Sequence, residues 1–121
     1  MTEPTNATYS LENAKSQMRK GFLEFPVLLL IATESTYAPD ILNSLKKANL
    51  LVVEGTIYPL LSRLRKFNLV TYCWEESKSG PPRKMYTITD KGKVVVEELQ
   101  TSFKEFTTSI NSLIKNYEKN N

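Results

Sequence analysis

The chain has 121 residues, a length that suits one domain with a single hydrophobic core. It contains no histidine and one cysteine, which excludes histidine-based metal sites, histidine acid/base catalysis and an intrachain disulfide. The formal charge of +3 is unevenly distributed, because residues 40–93 carry ten basic and five acidic side chains, a net +5. A basic centre between acidic ends is typical of a chain whose centre binds phosphate groups.

The first nine residues predict a flexible tail. They are polar and lack the basic, apolar and small-residue layout of an export signal. The most apolar run in the chain, residues 27–32, is far shorter than the ~18 residues of a membrane span. We therefore expect a cytoplasmic protein that has no membrane partner.

Two helices are predicted in the first third of the chain. Ser10 is a suitable N-cap for a short, mostly polar helix through Arg19, and Gly21 is expected to end it. Residues 22–32 then place leucine, isoleucine and valine at helical spacing, with Pro26 in the early turns, where a missing N–H donor is tolerated. This strongly apolar segment predicts the central buried helix.

A helix-turn-helix pattern follows. Residues 34–36 are a predicted loop with hydroxyl caps, and Pro39 suits the start of a helix that ends near Asn49. A short apolar link through Leu51 leads to a second helix that begins near Glu54. The inward face of this second helix is predicted from apolar residues at spacings of three and four: Val53, Ile57, Leu60, Leu61 and Leu64.

The opposite face of the second helix is small, hydroxylated and basic. Gly55 removes a side chain where two backbones must approach, while hydroxyl and cationic groups can bind phosphate oxygens. We interpret this helix as a DNA recognition helix. An ordinary solvated face is the alternative, since any surface helix is polar outside. The residues that we assign to DNA contact on this helix are Thr56, Tyr58, Ser62, Arg63 and Lys66.

A β-hairpin is predicted directly after the recognition helix. Residues 70–76 alternate and are rich in β-branched and aromatic side chains, residues 77–82 have a loop composition, and residues 83–88 form the return strand. A hairpin in this place is interpreted as a wing, and a plain hairpin with solvated lysines is the alternative. The basic residues on its rim, which we assign to DNA contact, are Lys78, Arg83 and Lys84.

The last element is a long helix, predicted over residues 90–118 and capped by Thr89 or Asp90. From Val96 onward, apolar residues recur at alternating steps of three and four, which defines a heptad seam. We expect this seam to join two copies of the chain, and packing against the chain's own first helix is the alternative. The expected dimer contacts are Leu99, Phe103, Phe106, Ile110, Leu113 and Tyr117.

The predicted fold is mainly α with a two-stranded β-wing. A winged helix-turn-helix DNA-binding domain with an N-terminal helix occupies residues 10–89, and a C-terminal dimerisation helix follows at residues 90–118. Three runs strengthen this prediction: residues 18–24 (MRKGFLE), 54–64 (EGTIYPLLSRL) and 74–92 (WEESKSGPPRKMYTITDKG). With them, residues 18–92 resemble the PadR family of bacterial transcriptional regulators.

The resemblance implies a homodimer held by the C-terminal helix together with N-terminal elements. It also implies repression of a promoter until a small molecule, such as a phenolic acid or a hydrophobic drug, binds. The single C-terminal helix is similar to that of the smaller subgroup of the family. Certain small members stack drugs on a tryptophan in that helix, whereas the only tryptophan here, Trp74, lies in the wing. Phe103 and Phe106 could stack a ligand there instead, with plain dimer packing as the alternative.

We therefore expect double-stranded DNA and a second copy of the chain as partners, no cofactor and no metal; a hydrophobic or phenolic effector is left open. A winged-helix module that binds proteins without DNA is the alternative function, and it would not bind random duplex at low salt. An enzyme would need a catalytic constellation that the sequence lacks. Glu75 and Glu76 are neighbours on a predicted strand and point to opposite faces, and Cys73 has no histidine partner.

Overall fold

The computed structural model describes residues 7–50 and 52–121. Most of the predicted tail at residues 1–9, and Leu51 in the predicted apolar link, lie outside these described residues. The described elements, in chain order, are α1 (Leu11–Phe22), α2 (Glu24–Thr33), α3 (Ala38–Lys47), α4 (Glu54–Lys66), β1 (Val70–Ser77), β2 (Gly80–Ile88) and α5 (Asp90–Lys119). The prediction of a mainly helical fold with a two-stranded antiparallel wing is thus confirmed.

The first helix begins where it was predicted to begin but ends later. Ser10 is its N-cap, since its hydroxyl accepts a hydrogen bond from the Asn13 N–H at 3.1 Å. The expected break at Gly21 is wrong, because α1 continues to Phe22 and the chain bends at Leu23. One glycine in a helix costs only about 1 kcal/mol, and the Phe22 ring packs against Phe103 of α5, 5.8 Å away between centroids.

The predicted central helix, α2, contacts α1, α3, α5 and β2. Its side chains Val27, Leu28 and Ile31 are fully buried, which confirms that it is the core helix. The core also includes residues from α3, α4, the start of β1, the wing and α5. Among residues 7–50 and 52–121, no helix is long and apolar enough to cross a membrane.

The predicted hydroxyl caps before α3 are wrong. Tyr37 occupies the N-cap position of α3, and no side chain there makes a capping bond. The two hydroxyl residues contact the wing instead. Ser35 hydrogen-bonds the Thr87 hydroxyl at 2.8 Å, and Thr36 pairs with Tyr86 through two backbone hydrogen bonds of 3.0 and 2.8 Å. The loop between α2 and α3 therefore anchors the wing to the helical core.

The two helices of the helix-turn-helix end in the same way. At the end of α3, Asn49 adopts a positive φ of 62°, and the Leu50 N–H donates to the Leu45 carbonyl at 2.8 Å. This pattern is a Schellman motif, in which a left-handed residue lets the following N–H groups bond to the last free carbonyls of the helix. Asn68 (φ 60°) repeats it after α4. The motif turns the chain sharply, first toward α4 and then into β1.

The inward face of α4 agrees with the predicted stripe except at its first residue. Ile57, Leu61 and Leu64 are fully buried and Leu60 is half-buried, but Val53 is 71% exposed. Val53 is the N-cap residue and has an extended backbone, so the helical periodicity that places the other side chains does not apply to it.

The wing is a tighter hairpin than predicted. The strands pair from Val70 opposite Ile88 to Ser77 opposite Gly80, so the predicted loop at residues 77–82 shrinks to a turn at residues 78–79. Strand β2 has one more residue than β1 in the stretch that contains Pro81 and Pro82, which forms a bulge. Proline has no N–H to donate, and it fits an edge strand at a bulge, where a ladder bond is missing.

The long helix α5 starts at its predicted cap. The Thr89 hydroxyl accepts a hydrogen bond from the Gly92 N–H at 2.9 Å. The same hydroxyl donates to the carbonyls of Asn68 and Leu69, just before β1. Val96 is buried in the core and Leu99 packs against it, whereas most of the helix beyond Thr107 is exposed.

Candidate nucleic-acid interface

Three of the predicted DNA contacts form a line along the outer face of α4. Tyr58 is 47% exposed, and Ser62 and Lys66 are exposed one and two turns further along. Residues at this spacing lie on one face of a helix. The line carries two hydroxyls and one ammonium group, all of which can donate hydrogen bonds to phosphate oxygens or to base edges.

The other two predicted contacts on α4 lie on the flank that faces α1 and α2. Thr56 is half-buried and borders a small cleft at the bend between these helices. The Arg63 guanidinium donates to the Glu24 carboxylate in the same cleft, and it lies 5.4 Å from the centroid of the Phe67 ring. The positive charge of Arg63 is therefore balanced within the chain, whereas Lys66 forms no ion pair with any of residues 7–50 and 52–121.

The opposite flank of α4 carries a cation that sequence analysis did not assign to the site. Arg65 is exposed, and its guanidinium carbon lies 4.8 Å from the centroid of the Tyr72 ring in β1. Arg65 also lies near Tyr86. The pKa of the Tyr86 hydroxyl is raised, chiefly by burial, and the positive charge of Arg65 opposes this shift. A helical wheel separates Arg65 from Arg63, but it does not indicate which flank meets the wing.

One face of the wing continues from this flank. Trp74 and Lys84 are opposite each other in the two strands, and the Lys84 ammonium lies 4.4 Å from the Tyr72 centroid and 5.3 Å from the Trp74 ring. Trp74 is 62% exposed. Aromatic rings and cations therefore alternate from α4 along this face of the hairpin. The alternation of residues 70–76, used above only to predict the strand, also puts the rings of Tyr72 and Trp74 on one face.

The remaining wing residues lie on the other face or at the turn. Arg83 stacks over the Tyr37 ring of α3, with its guanidinium carbon 4.0 Å from the centroid. The Tyr37 hydroxyl donates to Oε2 of Glu75, which is opposite Arg83 in the sheet. This hydrogen bond is the main cause that raises the pKa of Tyr37, with burial second. Lys78 is exposed at the turn. The three predicted wing contacts thus do not share one surface.

An apolar groove of about 850 Å³ borders the flank of α4 that carries Thr56, which belongs to its lining. It runs between α1, α2 and α3, and it reaches the start of α4 and Phe103 of α5. Its aromatic lining consists of Phe22, Phe25 and Phe103, whose rings are in contact. Among residues 7–50 and 52–121, no group of three acidic, histidine or cysteine side chains could hold a metal ion.

The seam of α5 divides into two parts. Phe103 and Phe106 contact Phe22 of α1 in the same chain, with ring centroids 5.8 and 5.5 Å apart. Further along, Leu113 is 63% and Tyr117 is 68% exposed, and Ile110 is exposed between the two parts. Phe103 and Phe106 thus contact the first helix but remain 41% and 51% exposed, and Ile110 is 39% exposed, so every seam residue from Phe103 onward keeps exposed apolar surface.

Comparison with known proteins gives consistent results. Residues 27–98 match the model of the transcriptional regulator PadR-like family. The chain is similar to the X-ray structure of a PadR-like transcription factor from Bacteroides fragilis, with 51% identity, 84% of this chain and 98% of that chain covered, and a TM-score of 0.70.

Two further solved structures support the same likeness. A PadR-like transcriptional regulator from Bacillus cereus is 40% identical over 81% of this chain and 96% of that chain, with a TM-score of 0.73. A PadR family transcriptional regulator from Eggerthella lenta is 27% identical over 86% of this chain and 91% of that chain, with a TM-score of 0.78.

Proposed function

The chain belongs to the PadR-like family of transcriptional regulators, and from this premise we propose that it is a homodimeric repressor that binds an inverted-repeat operator in double-stranded DNA. Its relatives are regulators and not enzymes. The observation that carries the proposal is the exposed line of Tyr58, Ser62 and Lys66 on the second helix of a helix-turn-helix that a wing follows.

In this proposal α4 enters the major groove. Residues near the start of a recognition helix contact base edges in such complexes, which is the role of Thr56 and Tyr58, while residues further along contact the backbone. Ser62 donates to a base edge or a phosphate, and Lys66 binds a phosphate. Two basic residues of the wing, Lys84 beside α4 and Lys78 at the turn, bind the adjacent backbone or minor groove, while Arg83 stays over the Tyr37 ring on the other face.

The dimer is proposed from the exposed half of the seam in α5. Ile110, Leu113 and Tyr117 form an apolar stripe on the part of the helix that projects from the domain, and such a stripe on a small monomer promotes association. A second copy of α5 would cover this stripe. In the dimer, Leu99, Phe103 and Phe106 would contact the partner chain in addition to the N-terminal helices of their own chain. The two-fold axis would then place two copies of α4 in successive major grooves, about 34 Å apart.

We also propose that a small hydrophobic or phenolic effector releases the protein from its operator. The apolar groove supports this proposal. A volume of about 850 Å³ and a lining with three phenylalanines suit a flat hydrophobic or phenolic molecule. A ligand between the N-terminal helices and α5 would change the angle between the protomers. Because half-site spacing tolerates little misfit, such a change would release the operator.

The test measures mass and DNA binding together. Sedimentation equilibrium should give a dimer, and fluorescence anisotropy should show binding to random duplex that weakens as salt rises. Lys66→Ala should weaken binding to every duplex and reduce the salt slope by about one unit, whereas Thr56→Ala should change the preference among sequences. Equal losses on every sequence for both variants would contradict these assignments. A chain that binds no duplex at low salt would favour the protein-interaction module.

A further inference from the structure

The structure assigns a further DNA contact to Arg65. We propose that Arg65 of α4 and Lys84 of the wing together form a phosphate-binding pair that spans the two elements, and that Arg63 does not contact DNA but holds α4 to the bend between α1 and α2. This inference rests on the proposed function, since it concerns how the same surface binds the DNA backbone.

Two cations from different elements converge on one aromatic ring. The Arg65 guanidinium and the Lys84 ammonium lie 4.8 and 4.4 Å from the centroid of one ring, that of Tyr72. The two cations come from elements that are separate in sequence, and the ring holds both near the junction of α4 and the wing. Cation–π contacts at exposed sites contribute only about 0.5–1 kcal/mol each, so they orient the two groups without neutralising them.

Neither cation of this pair has a counter-charge among the described residues. Within residues 7–50 and 52–121, the ion pairs are Lys15 with Glu12 and Arg63 with Glu24, so neither Arg65 nor Lys84 takes part in one. Two cations near one ring concentrate positive charge that an anion can balance. A polyanion that passes over the outer surface of α4 and the wing would supply that charge.

The pair also lies where the proposed DNA backbone would pass. Arg65 lies on the flank of α4 that faces the wing, next to the exposed line of Tyr58, Ser62 and Lys66. Trp74 lies opposite Lys84 on the same face of the hairpin and is largely exposed. With the recognition helix in the major groove, the sugars and phosphates of one DNA strand would lie over this face of the wing. The Trp74 ring would then pack on a deoxyribose, and the two cations would bind neighbouring phosphates.

The contrast with Arg63 makes the inference specific. Both arginines belong to α4 and stand two residues apart, but Arg63 is bonded to Glu24 and lies over Phe67. For Arg63 to reach a phosphate, it would have to leave a carboxylate that already satisfies its charge. Its contact joins α4 to the first turn of α2. Because the Arg63 side chain is 58% exposed, the pair contributes at most about 1 kcal/mol, so its loss should lower stability only slightly and leave the DNA salt slope unchanged.

The experiment compares the two arginines in otherwise identical chains. Binding to a random-sequence duplex is measured by fluorescence anisotropy at salt concentrations between about 50 and 200 mM, and the slope of log affinity against log salt is determined. Arg65→Gln and Lys84→Gln should each reduce the slope by about one unit, and Arg65→Lys should retain it. Arg63→Gln should lower the midpoint of thermal unfolding and leave the slope unchanged.

Glu24→Gln is the second variant on the Arg63 side. It breaks the same ion pair and keeps both arginines, so it should also lower the thermal midpoint and leave the slope unchanged. An unchanged slope for Arg65→Gln, or an equal loss for Arg65→Gln and Arg63→Gln, would overturn the inference while the proposed function stands. A wild-type chain that binds no duplex would overturn both.

Discussion

Gly92 in the first turn of α5 determines how closely the long helix approaches the start of the wing. A Cβ at this position would overlap the carbonyl oxygen of Leu69 and lie 2.6 Å from Cδ1 of Ile88. The first neighbour is backbone and cannot rotate away. The Gly92 N–H is also the donor to the Thr89 cap, so the contact and the helix start depend on the same residue.

We expect Gly92→Ala to lower the free energy of unfolding by about 1–3 kcal/mol, because the helix must move away from the backbone of Leu69. Urea denaturation monitored by circular dichroism measures this change. Gly21→Ala is the matched control. Gly21 is exposed in α1 with no atom within 4 Å of an added Cβ, so the change should be neutral or stabilising by up to about 1 kcal/mol. A Gly92→Ala variant as stable as the wild type would show that the close approach is not required.

At the scale of elements, the two helices of the helix-turn-helix are ended by asparagine in the left-handed conformation. Asparagine tolerates a positive φ better than most residues, although glycine does so at no steric cost. In both motifs a leucine follows the asparagine, Leu50 after α3 and Leu69 after α4, and its N–H closes the motif. The end of α3 was predicted near Asn49, whereas no end was predicted for α4, and the motif was not identified from the sequence.

Substitutions at Asn68 test this motif. Asn68→Val should lower the free energy of unfolding by about 1–2 kcal/mol, because a β-branched residue at φ 60° is strained. Asn68→Gly should preserve stability or raise it by up to about 1 kcal/mol, because glycine adopts this positive φ without a Cβ penalty. The matched control is Asn43→Val on the exposed face of α3, where the two residues have similar helix propensities and the change should be small. Equal stability of Asn68→Val and the wild type in urea denaturation would contradict the assigned role.

At the scale of the whole molecule, α5 begins in the hydrophobic core and extends well beyond it. Its first turns are fixed by Thr89, Gly92 and Val96, and its middle rests on Phe22 of α1. The residues after Thr107 are all exposed, yet they continue the same apolar seam. The proposed dimer is the arrangement that removes this seam from water.

Leu113→Glu tests the dimer. A carboxylate in the middle of the exposed seam should convert the dimer to a monomer, since two like charges would face each other in an apolar interface. Sedimentation equilibrium measures the mass, and far-UV circular dichroism should remain that of a folded chain. Asn111→Glu adds the same charge on the opposite side of α5 and should leave the dimer intact. A Leu113→Glu chain that retains the wild-type dimer mass would place the interface elsewhere.

The type and order of the elements could be predicted from the sequence, because helical and strand periodicities depend on residues that are neighbours in the chain. The core face of α4 from Ile57 to Leu64, the caps Ser10 and Thr89, and the wing after the second helix were all predicted correctly. The element ends were less predictable. The break at Gly21, the loop at residues 77–82 and the burial of Val53 were wrong, since packing and strand pairing decide where a regular element stops.

The environment of each charged side chain was decided only by the tertiary structure. Arg63 and Arg65 are the same residue type on one helix, but Glu24 lies beside the first and Tyr72 beside the second. Neither partner is a neighbour in sequence, and no periodicity relates a residue in α2 or β1 to one in α4. Local patterns could therefore place the candidate site on the second helix and the wing. Which cations remain available there depends on contacts that form only when distant segments of the chain pack together.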